Sequence, residues 1–264
     1  MEDTIQEYKF IDENKEHLHT FCDKPLLGTS TITGVISKNL TWWASELSAI
    51  ECLESGEHIP TIRVEYLEAK KSGKQGIDDL QKKYPIFKKA RFAHFVDKNN
   101  KADTGTDMHE MLEKYVKKCI LENNGVPMLE ITDDKKLGKF INWSIDNVEK
   151  FMFSEKNVYS TELWVGGQFD VIMKLKDGKI CLGDFKSSPV AYQNQFIQIA
   201  GYDLQQSENG IFTSNGYKLS EPLKIDCYYV FPFGSDEFKV EPRFNLDELK
   251  NGFRACVTLY KLNK

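Results

Sequence analysis

With 264 residues, 41% hydrophobic and 28% charged, the chain has an ordinary globular composition, enough for one large domain or a core with a smaller lobe, and needs no disulfide or structural metal to fold. The six cysteines (Cys22, Cys52, Cys119, Cys181, Cys227, Cys256) stand singly, which excludes a zinc knuckle and a local iron–sulfur signature; Cys119, Cys181 and Cys227 lie in apolar stretches and read as buried free thiols. The net charge of −5 argues against a simple electrostatic nucleic-acid binder, but not against an enzyme whose carboxylates gather a metal and whose phosphate contacts come from a local basic strip.

The opening MEDTIQEYKF lacks the basic-then-apolar pattern of a signal peptide, and no apolar run is long enough to cross a bilayer. A reducing, cytoplasmic setting without membrane contact is expected. Residues 1–101 read as a mainly helical lobe. Ser30 and Thr31 cap a short helix, and LTWWASELSAIECLES comes next with helical spacing. Trp42 and Trp43 fit packing or base stacking. KKSGKQG, from Lys70 to Gly76, reads as a loop. Beyond it, QKKYPIFKKARF interleaves Lys82, Lys83, Lys88, Lys89 and Arg91 with aromatics, either a phosphate-contacting strip or a solvated helix face.

Residues 102–264 read as a core. A helix opens at Gly105-Thr106 and stops at Gly125, and a second covers KKLGKFINWSIDNVEKFMF. The period then changes to that of strands in VYSTELWV, GGQFDVIMKLK and KICLGDFKSS, the last two joined by an Asp177-Gly178 turn. A helix from about Tyr192 to Gln206, the strand KIDCYYVFPF, a short strand near FKVEPRF and a helix from Leu246 complete an α/β fold with a mixed central sheet flanked by helices.

Asp170 and Asp184 fall on the two arms of a hairpin, and Lys186 shares the face of Asp184. Two carboxylates and an ammonium at one point suit a divalent metal and phosphodiester hydrolysis, with the Phe185 carbonyl as a further oxygen ligand. D-x-K by itself is weak, since Asp177-Gly178-Lys179 repeats it as a plain turn. His109 and Glu113 share one helix face and can add to a metal's coordination. Gln195, Gln198 and Tyr202 share another; Gln198 can reach a phosphate or steady Lys186, while the Tyr202 ring suits the core.

The ordered set of His109, GGQFD, GDFKSS and Gln198-Ile-Ala-Gly-Tyr202 resembles the motifs of RecB-type exonucleases in the PD-(D/E)XK nuclease superfamily, over about residues 104–203. STITGVISKNLTWWASELSAI is similar, more loosely, to the opening of phage-encoded members. The resemblance implies a restriction-endonuclease-like core, His109, Asp170 and Asp184 as ligands of one or two Mg²⁺ or Mn²⁺ ions, Lys186 as catalytic lysine, and Gln198 and Tyr202 in support. Glu162 stands where relatives carry a glutamate ahead of the first catalytic strand, and Ser187 and Gln195 are counted with the basic strip as DNA contacts. The four-cysteine iron–sulfur cluster of some relatives does not fit the spacing here. The activity implied by the resemblance is that of a metal-dependent DNA exonuclease of recombination, repair or phage DNA processing. Its setting is the host cytoplasm if phage-encoded, with a single-strand-binding or annealing protein as a conceivable partner. A structure-specific endonuclease and a non-catalytic nucleic-acid-binding module remain alternatives. A covalent-nucleophile hydrolase is disfavoured, because no G-x-S-x-G or activated cysteine is present.

Overall fold

Alternating residues in YKFIDE and EHLHTF build a hairpin where helix was expected from the sequence. Strands β1 (Tyr8–Glu13) and β2 (Glu16–Phe21) pair antiparallel, and β3 (Lys24–Pro25) adds to β2. The short β4 (Leu27–Gly28) leads into α1 (Thr29–Thr33). The structure, a computed structural model, describes residues 7–13, 16–36, 41–54 and 59–263; the side chains at 12–16, 37–43, 55–60, 88, 91 and 94–107 lie outside the description.

The chain divides into two units, one of Met1–Ser37 with Gly105–Lys264 and one of Lys38–Thr104. A single lobe over 1–101 is thereby corrected: the first residues belong with the C-terminal part because β4 pairs with a strand far along the chain, a partner invisible to local periodicity. The smaller unit holds α2 (Thr41–Glu54), α3 (Ile59–Lys71), α4 (Gly73–Lys83) and the start of α5 (Pro85–Glu122). The expected loop at Lys70–Gly76 is helical except at Ser72, with the chain redirected at Gly73, whose φ is +70°. Trp42 and Trp43 fall among the side chains outside the description.

In the larger unit α5 is continuous from Pro85, so Gly105-Thr106 does not open it, and it ends before Gly125 as its φ of +85° suits. Asp134 accepts from the Lys136 and Leu137 amides and starts α6 (Lys135–Asn147). The expected helix overruns here. From Val148 the chain is strand β5 (Val148–Ser160), because Val148, Phe151 and Phe153 pair with Leu175, Met173 and Ile172 of β6 (Val165–Leu175). Residues 161–164, expected inside a strand, form the turn between them. A turn with Gly178 at φ +89° joins β6 to β7 (Ile180–Lys186). Next come α7 (Gln193–Asn209), the short β8 (Ile211–Phe212) and β9 (Lys218–Ser220), β10 (Cys227–Pro232) and α8 (Leu246–Leu262). The strand expected near FKVEPRF is only a single bridge, Arg243 to Tyr228.

The main sheet runs β10-β7-β6-β5-β8-β9, with β4 on the start of β6; β10 on β7 and β4 on β6 are parallel, the other pairs antiparallel. One apolar face, including Val171, Met173, Phe185 and Phe231, packs on Leu112, Tyr115 and Val116 of α5 and Phe140 of α6. The other, including Phe169, Ile172, Leu182 and Val230, packs on Phe196, Ile199 and Ala200 of α7 and Leu249 of α8. This mixed α/β core matches the coarse expectation. Asp203 of α7, 1% exposed, accepts from Tyr228 Oη (2.6 Å) and pairs with Lys250 Nζ (2.8 Å), tying β10 and α8 to α7 by a satisfied buried charge. Cys181 and Cys227 are corrected: the parallel register sets them opposite each other with Cα atoms 4.9 Å apart, and they are joined as a disulfide, while Cys119 is a buried thiol as expected.

Candidate metal-binding active site

The site lies where β6 and β7 part. Their ladder ends at Val171↔Gly183, and one further step of the same register sets Asp170 opposite Asp184. On the other side of β6, the pairs Ser154↔Val171 and Lys156↔Phe169 set Glu155 opposite Asp170. Three carboxylates therefore stand abreast on adjacent strands, a juxtaposition in which like charges repel. Glu155 was missed in the sequence because its strand was read as the tail of a helix. Counting back from Asp170 across the Thr161–Trp164 turn is the signal that finds it. Its backbone takes the left-handed φ of +50°, which costs a non-glycine residue energy and is held only by the surrounding ladder.

Each carboxylate has its own environment. Asp170 accepts from the Phe185 amide at 2.5 Å, which fixes its orientation, and lies 3.2 Å from His109 Nε2. Asp184, 1% exposed, meets Lys186 Nζ at 2.6 Å. Glu155 Oε1 is buried without a hydrogen bond, its nearest described cation being His109 Nε2 at 3.9 Å. Burial first, and the neighbouring Asp170 second, raise the Glu155 carboxyl far above its usual range. Burial raises Asp184 as well, against the pull of Lys186. Burial would lower the His109 imidazole, but Asp170, Glu155 and Asp184 outweigh it and lift it to about 9. Lys186 is likewise raised: burial opposes its charge, and Asp184 and Asp170 more than offset that.

Three carboxyl groups meet two cationic side chains, and Oε1 of Glu155, at one end of the row, is buried without a hydrogen bond. Oxygen donors with one imidazole make a donor set suited to Mg²⁺ or Mn²⁺, so the residues fit a divalent ion. Glu113 belongs to the same neighbourhood, since His109, Glu113 and Glu155 each offer a donor atom within 4.8 Å of the others, although Glu113 also ion-pairs with Lys117. The Phe185 ring packs edge-on against His109, 5.6 Å between centroids, placing its backbone among the carboxylates.

The supporting helix is α7. Gln198 Nε2 donates to Tyr202 Oη at 2.7 Å, and the Tyr202 ring is buried in the core on the α7 face. Burial, then Asp184 and Asp170, push the Tyr202 phenol well above its ordinary value, so it stays protonated. The two glycines of GGQFD have a steric purpose: a Cβ on Gly166 would strike His19, and one on Gly167 would strike Tyr202 and Thr29.

Other expected residues lie apart. Glu162 is exposed in the β5–β6 turn, and Asp170 is five residues into β6, roughly 17 Å along the strand, so Glu162 does not join the carboxylates; Glu155 stands there instead. Gln195 accepts from the Tyr192 amide (2.8 Å) and donates to Ser188 Oγ (3.0 Å), so its side chain starts α7 rather than facing a substrate. Ser187 is exposed just past β7. In the smaller unit Lys82 pairs with Asp79 and Lys83 with Glu65, which offsets two of the five cations of that strip; Lys89 is exposed, and the side chains of Lys88 and Arg91 lie outside the description.

Beside the carboxylates a cleft of about 190 Å³ opens between β2, β4, the start of β6 and α7, lined among others by His17, Ser30, Gln168 and Gln198. Among the described residues no helix is long and apolar enough to cross a membrane. No protein-family model matches the chain, and no curated protein matches it.

Proposed function

We propose that this chain is a divalent-metal-dependent DNA nuclease with a restriction-endonuclease-like core, working as an exonuclease of the RecB kind. The observation that supports the reading is the row of Glu155, Asp170 and Asp184, with Lys186 against Asp184 and His109 against Asp170. Three abutting carboxylates, Asp170 and Asp184 buried and Glu155 partly so, are costly to a fold and have a use only where a cation joins them.

Asp170, Asp184, His109 and the Phe185 carbonyl would hold Mg²⁺ or Mn²⁺, with Glu155 and Glu113 at its margin. A metal bound there supplies hydroxide near neutral pH and draws charge from a phosphate. The protein's own part is positioning. The Phe185 amide holds the Asp170 carboxylate in one orientation. Asp184 keeps the Lys186 ammonium charged and aimed, so that it can orient the attacking water or offset charge developing on the phosphate. Gln198 donates to the Tyr202 hydroxyl, which holds its amide in one orientation beside the carboxylates.

The test is cleavage of end-labelled linear and circular DNA, single- and double-stranded, with Mg²⁺, Mn²⁺ or EDTA. Metal-dependent loss of linear DNA is expected, abolished in Asp184→Asn and in Lys186→Ala, with Lys186→Ala still binding DNA and Mn²⁺. Cutting of circles would turn the reading to an endonuclease. No cutting of any substrate would overturn it in favour of a binding module.

A further inference from the structure

The cleft beside the carboxylate row has a chemistry of its own. Among its described lining residues none is a lysine, arginine or carboxylate. Burial, reinforced by His17, lowers the His19 imidazole to about 4, so that ring is neutral. The wall toward β2 is aromatic: the His17 and Phe10 rings stack at 5.8 Å with planes 13° apart, and His17 is exposed. Opposite lie uncharged donors and acceptors. The Gln168 amide and the Ser30 hydroxyl have no side-chain hydrogen bond among the described residues, and Gln198 has spent only its Nε2. Asn157 sits opposite Gln168 in the β5–β6 ladder, which puts both side chains on one face, and neither atom of its wholly buried amide is hydrogen-bonded.

A phosphate would call for lysine or arginine, and the described lining residues include neither; a flat uncharged heterocycle with hydrogen-bonding edges calls for an aromatic wall and amides. Its volume admits a group the size of one nucleobase and not a paired duplex. Its position is also specific. Gln168 and Asp170 are two residues apart on one face of β6, about 7 Å, so a base seated here belongs to the nucleotide next to a phosphate held at the carboxylates.

We propose that this cleft is a subsite for one unpaired nucleobase, stacked on His17 and read at its edge by Gln168, so that the substrate strand enters the site single-stranded. The proposal rests on the nuclease reading above and adds to it the strandedness of the substrate and the residues that select it.

The experiment is fluorescence anisotropy of a labelled twelve-nucleotide oligothymidylate and of a labelled blunt duplex of the same length, in EDTA, with the full chain. Expected is a loss of about tenfold or more in affinity for the single strand in His17→Ala and in Gln168→Ala, with duplex affinity unmoved. His17→Phe, which keeps an aromatic face, should retain parental affinity, and 2-aminopurine beside the scissile position should be quenched by the parent and by His17→Phe but not by His17→Ala. Thermal unfolding of each variant shows that the fold persists. Parental single-strand affinity in both alanine variants, or an equal loss for duplex, overturns the subsite while leaving metal-dependent cutting intact as evidence for the nuclease. A parent that neither binds nor cuts DNA overturns the nuclease reading itself, and the subsite with it.

Discussion

The left-handed backbone at Glu155 and its unpartnered Oε1 identify this residue as one kept at a cost. A carboxylate abreast of Asp170 and raised by burial weakens the fold wherever it is ionised and no added cation answers it. Glu155→Gln removes the cost of holding this carboxyl protonated, or ionised beside Asp170, while conserving shape. The metal-free protein is expected to gain roughly 1 kcal/mol toward urea at neutral pH. Its Mn²⁺ affinity by titration calorimetry should fall. A variant no more stable than the parent and unchanged in metal binding would leave Glu155 an incidental residue of the strand.

At the scale of elements, the β1–β2 hairpin is held down by one histidine. His19 bonds Tyr8 Oη at 2.7 Å and lies on Gly166, with Tyr8 stacked on Tyr159 of β5 at 4.4 Å. Buried, the imidazole titrates at about 4, against 6.5 in the unfolded chain. Between those values the unfolded chain holds the extra proton, so stability is complete above pH 6.5 and falls as pH drops toward 4. The shift corresponds to about 3 kcal/mol. Urea unfolding of the parent should lose that much between pH 7 and pH 4, and His19→Gln should flatten this part of the profile. An equally steep profile in the variant would place the effect elsewhere. The hairpin also shows why this element is not legible in its own residues: its anchors, Gly166 and Tyr159, are supplied from far along the chain.

For the whole molecule, the carboxylate row links folding to ligand. A cation that binds only the folded chain stabilises it by mass action, about 2.7 kcal/mol at a hundredfold excess over its dissociation constant. Thermal unfolding should therefore move upward with millimolar Mn²⁺ or Mg²⁺ and return on adding EDTA. Asp184→Asn should lose the response, whereas Glu162→Gln, in the exposed turn, should keep it. A midpoint indifferent to metal in the parent would argue against a resident ion.

By itself the sequence determined the elements whose signals are local: α7 and α8 from helical periodicity, the β6–β7 hairpin from Asp177-Gly178, and Lys186 on the face of Asp184 from the two-residue strand period. His109, Asp170, Asp184 and Lys186 could be named in this way, and the structure brings them together. Tertiary pairing decided the rest. VEKFMF has apolar spacing compatible with either helix or strand, and only β6 beside it makes it a strand; with that choice came Glu155. The Cys181–Cys227 bond and the return of residues 8–28 to the core depend on partners distant in sequence. Gln195, alike in type to Gln198, was taken by the start of its helix. Local chemistry sets what a segment can form, while the energy that selects among those forms comes from surfaces that meet only when the chain has folded.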